Sequence, residues 1–257
     1  MHVLAGLNYP PIGELVDWKS FGPLGLDKTI LLVLLACTIT VVFFVVAGRK
    51  KALVPTGAQN LAEMAVEFIV DGVIMETIGP DGLGFLPYLL TLFCFLFILN
   101  IFEVIPLFQF PAAARMAIPL FLALITWGMY NFVGIKKQGF GHYLRSSCLP
   151  PGVPKAINYL LVAPIEFLQI LLIRPFSLAV RLFANMLAGH LLLVTFALLT
   201  DALLFHNAVL WLKPLAVLPA AVGIGLTAFE ILVAVLQAFI FTILTAVYVG
   251  LAMHPEH

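Results

Sequence analysis

Long apolar stretches separated by short polar ones dominate the chain. One runs from Thr29 to Ala47 and is followed directly by the basic triplet at residues 49–51. A second runs from about Leu83 to Ile105, and a third from about Arg115 to Ile135. Each is close to the roughly 20 residues with which a helix crosses a hydrocarbon core of about 30 Å. The pattern therefore predicts three membrane-spanning helices in the first half of the chain.

Two much longer apolar stretches follow, from Ala156 to Thr200 and from Ala208 to Met253. Roughly 45 helical residues would extend about 67 Å, twice the thickness of the hydrocarbon core. Either each stretch is broken, or two long helices cross the membrane steeply tilted as a hairpin. Four prolines are candidate breaks: Pro164, Pro175, Pro214 and Pro219. We favour the hairpin, turning near Asp201, His206 and Asn207, because polar residues are too sparse to end four separate spans.

The remaining segments are more polar. Residues Gln59 to Ile78 place acidic and apolar residues on different helical faces, which predicts an amphipathic helix at the membrane surface. The connection from Lys136 to Lys155 is rich in glycine and proline, and we expect it to be a cytoplasmic loop that contacts a partner. The basic triplet at residues 49–51 and the pair Lys136–Lys137 fall on the same side when the spans alternate. The positive-inside tendency then puts the N-terminus outside and the C-terminus in the cytoplasm.

The predicted fold is an all-α integral membrane protein. It has five membrane-crossing helices, including a long tilted C-terminal helical hairpin, and one amphipathic surface helix. We treat residues 1–257 as a single membrane domain, in which residues 1–27 are extracytoplasmic, residues 28–155 hold the first three spans and the amphipathic helix, and residues 156–257 form the hairpin.

Composition agrees with this interpretation and excludes several functions. The chain is 63% hydrophobic and 10% charged, with formal net charge +0, so nucleic acid is not an expected partner. The three cysteines, Cys37, Cys94 and Cys148, indicate no disulfide framework. No glycine-rich phosphate loop is present. We therefore expect no nucleotide site, and we assign no cofactor or metal to the chain.

One stripe of polar residues interrupts the first long apolar stretch. Arg174, Ser177, Arg181 and Asn185 follow one another at steps of three, four and four, and so share one face of a helix. A charge near the bilayer centre costs about 2.5–3.5 kcal/mol on insertion scales, so it usually faces protein, water or a partner. Arg181 is therefore the first candidate functional residue.

The second long stretch carries Glu230, Gln237 and Tyr248 close to one helical face. In the preceding stretch His190 lies nine residues after Arg181, about half a turn away in direction. Histidine changes charge near neutral pH, and Glu230 can exchange protons with it, whereas arginine stays protonated. The pattern favours proton transfer by His190 and Glu230, with Arg181 as a fixed charge that blocks leakage.

Three runs of the chain resemble subunit a of the rotary F-type ATP synthases. They are RPFSLAVRLFANMLAGH at residues 174–190, FEILVAVLQAFIFTILTAVY at residues 229–248, and PTGAQNLAE at residues 55–63. The resemblance extends from the first span to the C-terminus, and residues 1–27 add nothing to it.

The resemblance implies a stator subunit whose hairpin lies against a ring of c subunits. Protons would enter from outside through one half-channel, neutralise a ring carboxylate, and leave through a second half-channel after rotation. The implied partners are the c-ring, b-type subunits of the peripheral stalk and the lipid bilayer, and the implied location is the bacterial plasma membrane.

The family's functional residues map onto matching positions here. Arg181 corresponds to the essential arginine that separates the half-channels, and Asn185 and Gln237 correspond to its polar neighbours. Tyr248 is a further channel-lining candidate. Glu166, about four turns before Arg181, either lines the cytoplasmic exit or is an ordinary acidic residue near a helix start.

The inlet residues depart from the pattern of some bacterial members. Those members place glutamate at the position of His190 and histidine at the position of Glu230, so the pair is exchanged here, which predicts that the two lie close together. Glu103, with Asn100 one turn earlier, resembles a further acidic inlet residue.

Two other functions remain open on the residues alone. An ion-coupled secondary transporter would use Arg181 to bind an anionic substrate inside a closed pocket. A structural assembly subunit would use Arg181, His190 and Glu230 only to satisfy one another and nearby carbonyl groups.

Overall fold

The computed structural model describes residues 28–49, 56–105, 112–148, 158–205 and 210–253. Every regular element in these ranges is helical. The expectations for residues 1–27, for His206 and Asn207, and for the proline-rich part of the connection before residue 158 lie outside the described residues.

Eight α-helices of six residues or more organise the described chain. They are α1 (Lys28–Arg49), α2 (Ala58–Ile69), α3 (Leu86–Val104), α4 (Ala117–Gln138), α5 (Phe140–Cys148), α6 (Ala163–Leu168), α7 (Arg174–Leu204) and α8 (Val217–Met253). A 3-10 segment at Pro80–Phe85 leads into α3, and another at Leu210–Ala216 leads into α8.

Five helical stretches of the described chain are long and apolar enough to cross a membrane, which confirms the five predicted crossings. They are Lys28–Arg49, Pro80–Val104, Ala117–Gln138, Leu160–Leu204 and Lys213–Met253. The last two are continuous over 45 and 41 residues, so neither is divided into two short spans. Pro164 and Pro175 each follow closely after a π-helical segment, Asn158–Val162 and Gln169–Ile173, and the helix continues through both of them.

Two sequence predictions about connections are wrong. The segment from Lys136 to Lys155 is not loop from its start, because α4 continues to Gln138 and α5 follows it directly. Gly139, at φ 80°, makes the sharp bend between the two helices, a backbone conformation that glycine adopts without strain. Asp201 does not lie in the hairpin turn but one turn before the end of α7.

The amphipathic helix begins at Ala58, and a π-helical turn at Val70–Ile74 continues it. It exposes the apolar side chains of Leu61, Met64 and Phe68, while Glu63 and Glu67 are exposed on another part of its surface. This distribution suits a helix that meets both the lipid and the polar boundary of a membrane.

Small residues let the membrane helices approach closely. Helix α3 packs against α1 and α8, and α7 packs against α4 and α8. Ala36, Ala179 and Ala238 are completely buried in the cluster that joins these helices, beside the larger Leu96 and Leu182. Between helices in lipid, van der Waals packing of this kind replaces the hydrophobic driving force that operates in water. The hairpin is thus held on one side, against α3 and α4.

Candidate ion-translocation site

The polar stripe of α7 lies on its open side. Arg181, Ser177 and Asn185 are exposed, whereas Leu182 and Met186 on the other side of the helix are buried. Arg181 makes no hydrogen bond or ion pair with any of the residues that the structure describes. Its guanidinium is therefore presented outward rather than used to hold the fold together.

A hydrogen bond joins the two long helices one turn beyond Arg181. Asn185 donates from Nδ2 to Oε1 of Gln237 over 2.8 Å. Gln237 is only 1% exposed, and its Nε2 has no acceptor among the described residues. The amide pair marks the place where the exposed stripe meets the interior of the helix assembly.

A small cavity of about 140 Å³ lies behind this pair, between α3, α7 and α8. Its polar lining comes from Asn100, Glu103, Asn185 and Glu230. Within the described chain, Asn100 Oδ1, Glu103 Oε1 and Glu230 Oε2 are buried without a hydrogen-bond partner. Buried polar atoms around a cavity usually bond ordered water, and this volume is sufficient for several molecules at about 30 Å³ each.

A large cavity of about 800 Å³ follows, between the C-terminal half of α7 and the first turns of α8. Its polar lining comprises Glu103, His190, Thr200, Asp201 and Thr227. Since Glu103 lines both cavities, its carboxylate lies at their junction.

His190 and Glu230 are each placed beside Glu103 rather than paired with one another. His190 Nδ1 lies 3.8 Å from Glu103 Oε1, which is ion-pair distance when the histidine is protonated. Glu230 lines the small cavity and His190 the large one. Among the described residues, no hydrogen bond or ion pair links His190 to Glu230 directly. Glu103 is thus the one of these three residues that lines both cavities.

Gly189 is a site residue that sequence reasoning missed. A β-carbon at this position would lie 2.7 Å from Glu230 Oε1 and 3.3 Å from its carboxyl carbon. The absence of a side chain therefore gives the Glu230 carboxyl its place against α7. The only signal in the sequence is a glycine directly before His190 inside an apolar helix.

The remaining candidates lie apart from both cavities. The Arg174 guanidinium lies over the Tyr248 ring, 5.4 Å from its centroid. Glu166 is half-buried on α6, and its carboxylate makes no hydrogen bond or ion pair with a described residue. Across the described part of the chain, no three His, Cys, Asp or Glu side chains come together in a way that would hold a metal ion.

Comparison with known proteins identifies close relatives of the whole chain. The model of the family described as ATP synthase A chain matches residues 30–250. A protein of Rhodococcus erythropolis named ATP synthase subunit a is 43% identical over 237 residues, which are 91% of this chain and 85% of the relative. Proteins of the same name from Frankia alni and a Nocardioides species are 45% and 39% identical, and cover 90% and 97% of this chain and 79% and 91% of their own lengths.

Proposed function

Since this chain belongs to the ATP synthase A chain family, we propose that it is the proton-conducting stator subunit of the membrane sector of an F-type ATP synthase. It forms two offset half-channels against a rotating c-ring and catalyses nothing alone. Its family and its five membrane-capable helices support a multi-pass subunit of that complex. The observation that carries the finer proposal is the pair of cavities that share Glu103 and end behind the exposed Arg181 stripe.

The inlet half-channel is formed by the two cavities in succession. Protons enter the large cavity near Asp201, at the outer end of the hairpin, and reach the junction of Glu103 and His190. Each of these groups can take up a proton on one side and release it on the other. Glu230 receives the proton in the small cavity, and water held by Asn100 and Asn185 carries it toward the open face of α7.

Arg181 separates this inlet from the outlet. Its guanidinium stays protonated and carries no acceptor, so it cannot relay a proton. Its positive charge attracts a deprotonated carboxylate on the ring and repels a proton that would otherwise pass between the half-channels. Because Arg181 is exposed and lines neither cavity, the attraction acts on a group supplied from outside this chain.

The outlet half-channel runs along the other end of the stripe, where Arg174, Tyr248 and Glu166 lie. In this proposal that end faces the cytoplasm of a bacterial cell, the N-terminus is outside, and α5 contacts the b-type peripheral stalk. Lys136 and Lys137 at the end of α4 support the orientation, because basic residues favour the cytoplasmic side.

The geometry gives less support to an anion-binding secondary transporter. Such a protein needs its arginine inside a closed pocket, whereas Arg181 is on the open side of α7. Neither described cavity includes it among the lining residues.

A cysteine at Thr227 tests the proposed inlet. Thr227 lines the large cavity, so in a background without the native cysteines we expect Thr227→Cys to react from outside with a membrane-impermeant maleimide. Complete labelling fills part of the path and should lower ATP-driven proton pumping roughly tenfold or more. The measurements are gel-shift labelling and quenching of a pH-sensitive dye in inverted membrane vesicles.

Leu232→Cys is the matched control, because Leu232 is an exposed apolar residue of the same helix that lines neither cavity. We expect little labelling from the aqueous phase at this position. Full pumping by a completely labelled Thr227→Cys protein would contradict the proposed inlet.

Gly189→Ala tests the position of the Glu230 carboxyl. The new methyl group would lie within 3 Å of Glu230 Oε1, so the flexible end of that side chain must move away while the helix itself is favoured. We expect normal assembly and a roughly tenfold loss of pumping, since a displacement of about 1 Å at a transfer site has effects of this size or larger.

The control for Gly189→Ala is Gly128→Ala on α4, where a β-carbon would meet no atom within 4 Å. We expect this variant to pump at the parent rate. Equal pumping by Gly189→Ala and Gly128→Ala would show that close packing of Glu230 against α7 has no role in proton transfer.

A further inference from the structure

The carbonyl oxygen of Ile170 lacks a donor in its own helix. It lies in a π-helical turn, Gln169–Ile173, between α6 and α7. The N–H of Arg174 donates to the carbonyl of Gln169, five residues back. The next residue, Pro175, has no N–H, so the main-chain donor that would continue the pattern to Ile170 does not exist. At membrane depth an unsatisfied carbonyl is costly, and neighbouring helices must supply its partner.

Two side chains of α4 supply that partner. Trp127 Nε1 donates to the Ile170 oxygen over 2.9 Å, and the Tyr130 hydroxyl donates to the same oxygen over 3.1 Å. The two residues are three apart on α4 and therefore share the face that meets the π turn. Tyr130 is 1% exposed, which keeps its hydroxyl away from competing lipid headgroups and water.

The start of α7 makes further contacts beside the Ile170 carbonyl. Arg174, four residues after Ile170, lies over the Tyr248 ring of α8, and the centroid of that ring lies 5.6 Å from the centroid of the Tyr130 ring. Thus α4, the π turn and both long helices meet here. Arg181 lies seven residues further along, about 10.5 Å beyond Arg174 on α7.

We propose that Trp127 and Tyr130 are positioning residues for Arg181. By satisfying the Ile170 carbonyl they keep the turn π-helical and so fix the rotation at which α7 leaves it. A π turn accommodates one residue more than an α-helical turn, so its loss would rotate α7 against α6 by a large part of the ~100° that one α-helical residue spans. The inference rests on the proposed function, because it is the direction of the Arg181 stripe that would change.

The double variant Trp127→Phe, Tyr130→Phe tests this proposal in the whole assembled complex. It removes both donors to Ile170 and keeps aromatic rings at both positions. We expect normal assembly and a loss of ATP-driven proton pumping of about threefold or more. Tyr88→Phe is the matched control, because it removes a tyrosine hydroxyl that contacts Thr126 on α4 and leaves the π turn untouched. We expect Tyr88→Phe to pump at the parent rate.

Rescue separates positioning from simple packing. Adding Pro175→Ala creates a backbone N–H five residues after Ile170, so the helix can satisfy that carbonyl itself. We expect the triple variant to regain at least about half of the parent pumping rate. A loss caused by poorer packing of the two phenylalanines would not respond to a change at position 175.

Two results would overturn the proposal: parent-like pumping by the double variant, or a triple variant as slow as the double. If the double variant fails to assemble, Tyr130→Phe is compared with and without Pro175→Ala; Trp127 then still donates to Ile170, so we expect a smaller loss, and a loss that Pro175→Ala does not reverse would again contradict the proposal. The proposed function itself is tested by changing Arg181, which leaves Ile170 and its donors unaltered. Failure of one idea is therefore distinguishable from failure of the other.

Discussion

Replacing Arg181 with alanine is expected to abolish ATP-driven proton pumping while leaving assembly intact. Arg181 makes no hydrogen bond or ion pair with a described residue, so its removal breaks no polar interaction that holds the described chain together. It does remove the fixed charge that, in the proposed mechanism, holds a ring carboxylate and blocks direct passage between the half-channels. We expect at least about a hundredfold loss of pumping, the size seen when one preorganised electrostatic group is removed from an active site. Dye quenching in inverted vesicles measures the pumping.

A second measurement on the same variant distinguishes leakage from blockage. In vesicles with an imposed potential and no ATP, Arg181→Ala should allow passive proton flow, because no fixed charge then separates the two paths. Arg181→Lys keeps the charge but not the planar fork of donors, and we expect it to block leakage without restoring coupling. Coupled pumping by Arg181→Ala at the parent rate would refute the proposed mechanism.

The second large effect is expected at Glu103. Glu103→Gln keeps the size and hydrogen-bonding capacity of the side chain but removes its ability to take up and release a proton. Because Glu103 lines both cavities and its Oε1 lies 3.8 Å from His190 Nδ1, the variant would interrupt the proposed inlet where the two cavities meet. We expect pumping to fall roughly a hundredfold, as is usual when a proton-transferring group is lost. Purified complex reconstituted in liposomes gives the rate at defined internal and external pH.

Glu63→Gln is the appropriate control for Glu103→Gln. It makes the same chemical change on the exposed surface of α2, where the carboxylate accepts a hydrogen bond from Gln59. We expect no loss of pumping from this variant. Parent-like pumping by Glu103→Gln would mean that protons pass from the large cavity to the small one without this carboxylate.

The sequence predicted the spans well because their signal is local. A run of apolar residues ended by charges defines where a helix enters and leaves lipid, and the described helices confirm all five crossings. Asp201 shows the limit of this reasoning. A lone acidic residue near an expected turn is typical of a loop, yet α7 continues for three residues beyond Asp201.

The arrangement of the inlet was less accessible to sequence reasoning. Periodicity places Glu230 and Gln237 on one face of α8, and the structure buries both. Periodicity does not indicate which third helix packs against α7 and α8. Helix α3 is apolar on all sides, so its sequence specifies no direction for Asn100 or Glu103. Tertiary packing of α3 against α8 brings Glu103 to the lining of both cavities. The roles of Gly189 and of the Ile170 carbonyl also depend on contacts between helices, which the sequence does not specify.

The outward direction of Arg181 also affects how the complex can be built. A subunit inserted alone would present an uncompensated guanidinium to hydrocarbon, at a cost of about 2.5–3.5 kcal/mol on insertion scales. Against the 5–15 kcal/mol that typically separates folded from unfolded protein, this is a large fraction. The chain is therefore least stable as a solitary subunit and gains stability when an anionic partner covers that face. The residue that we propose to couple ions to rotation would thereby also favour correct assembly over accumulation of free subunits.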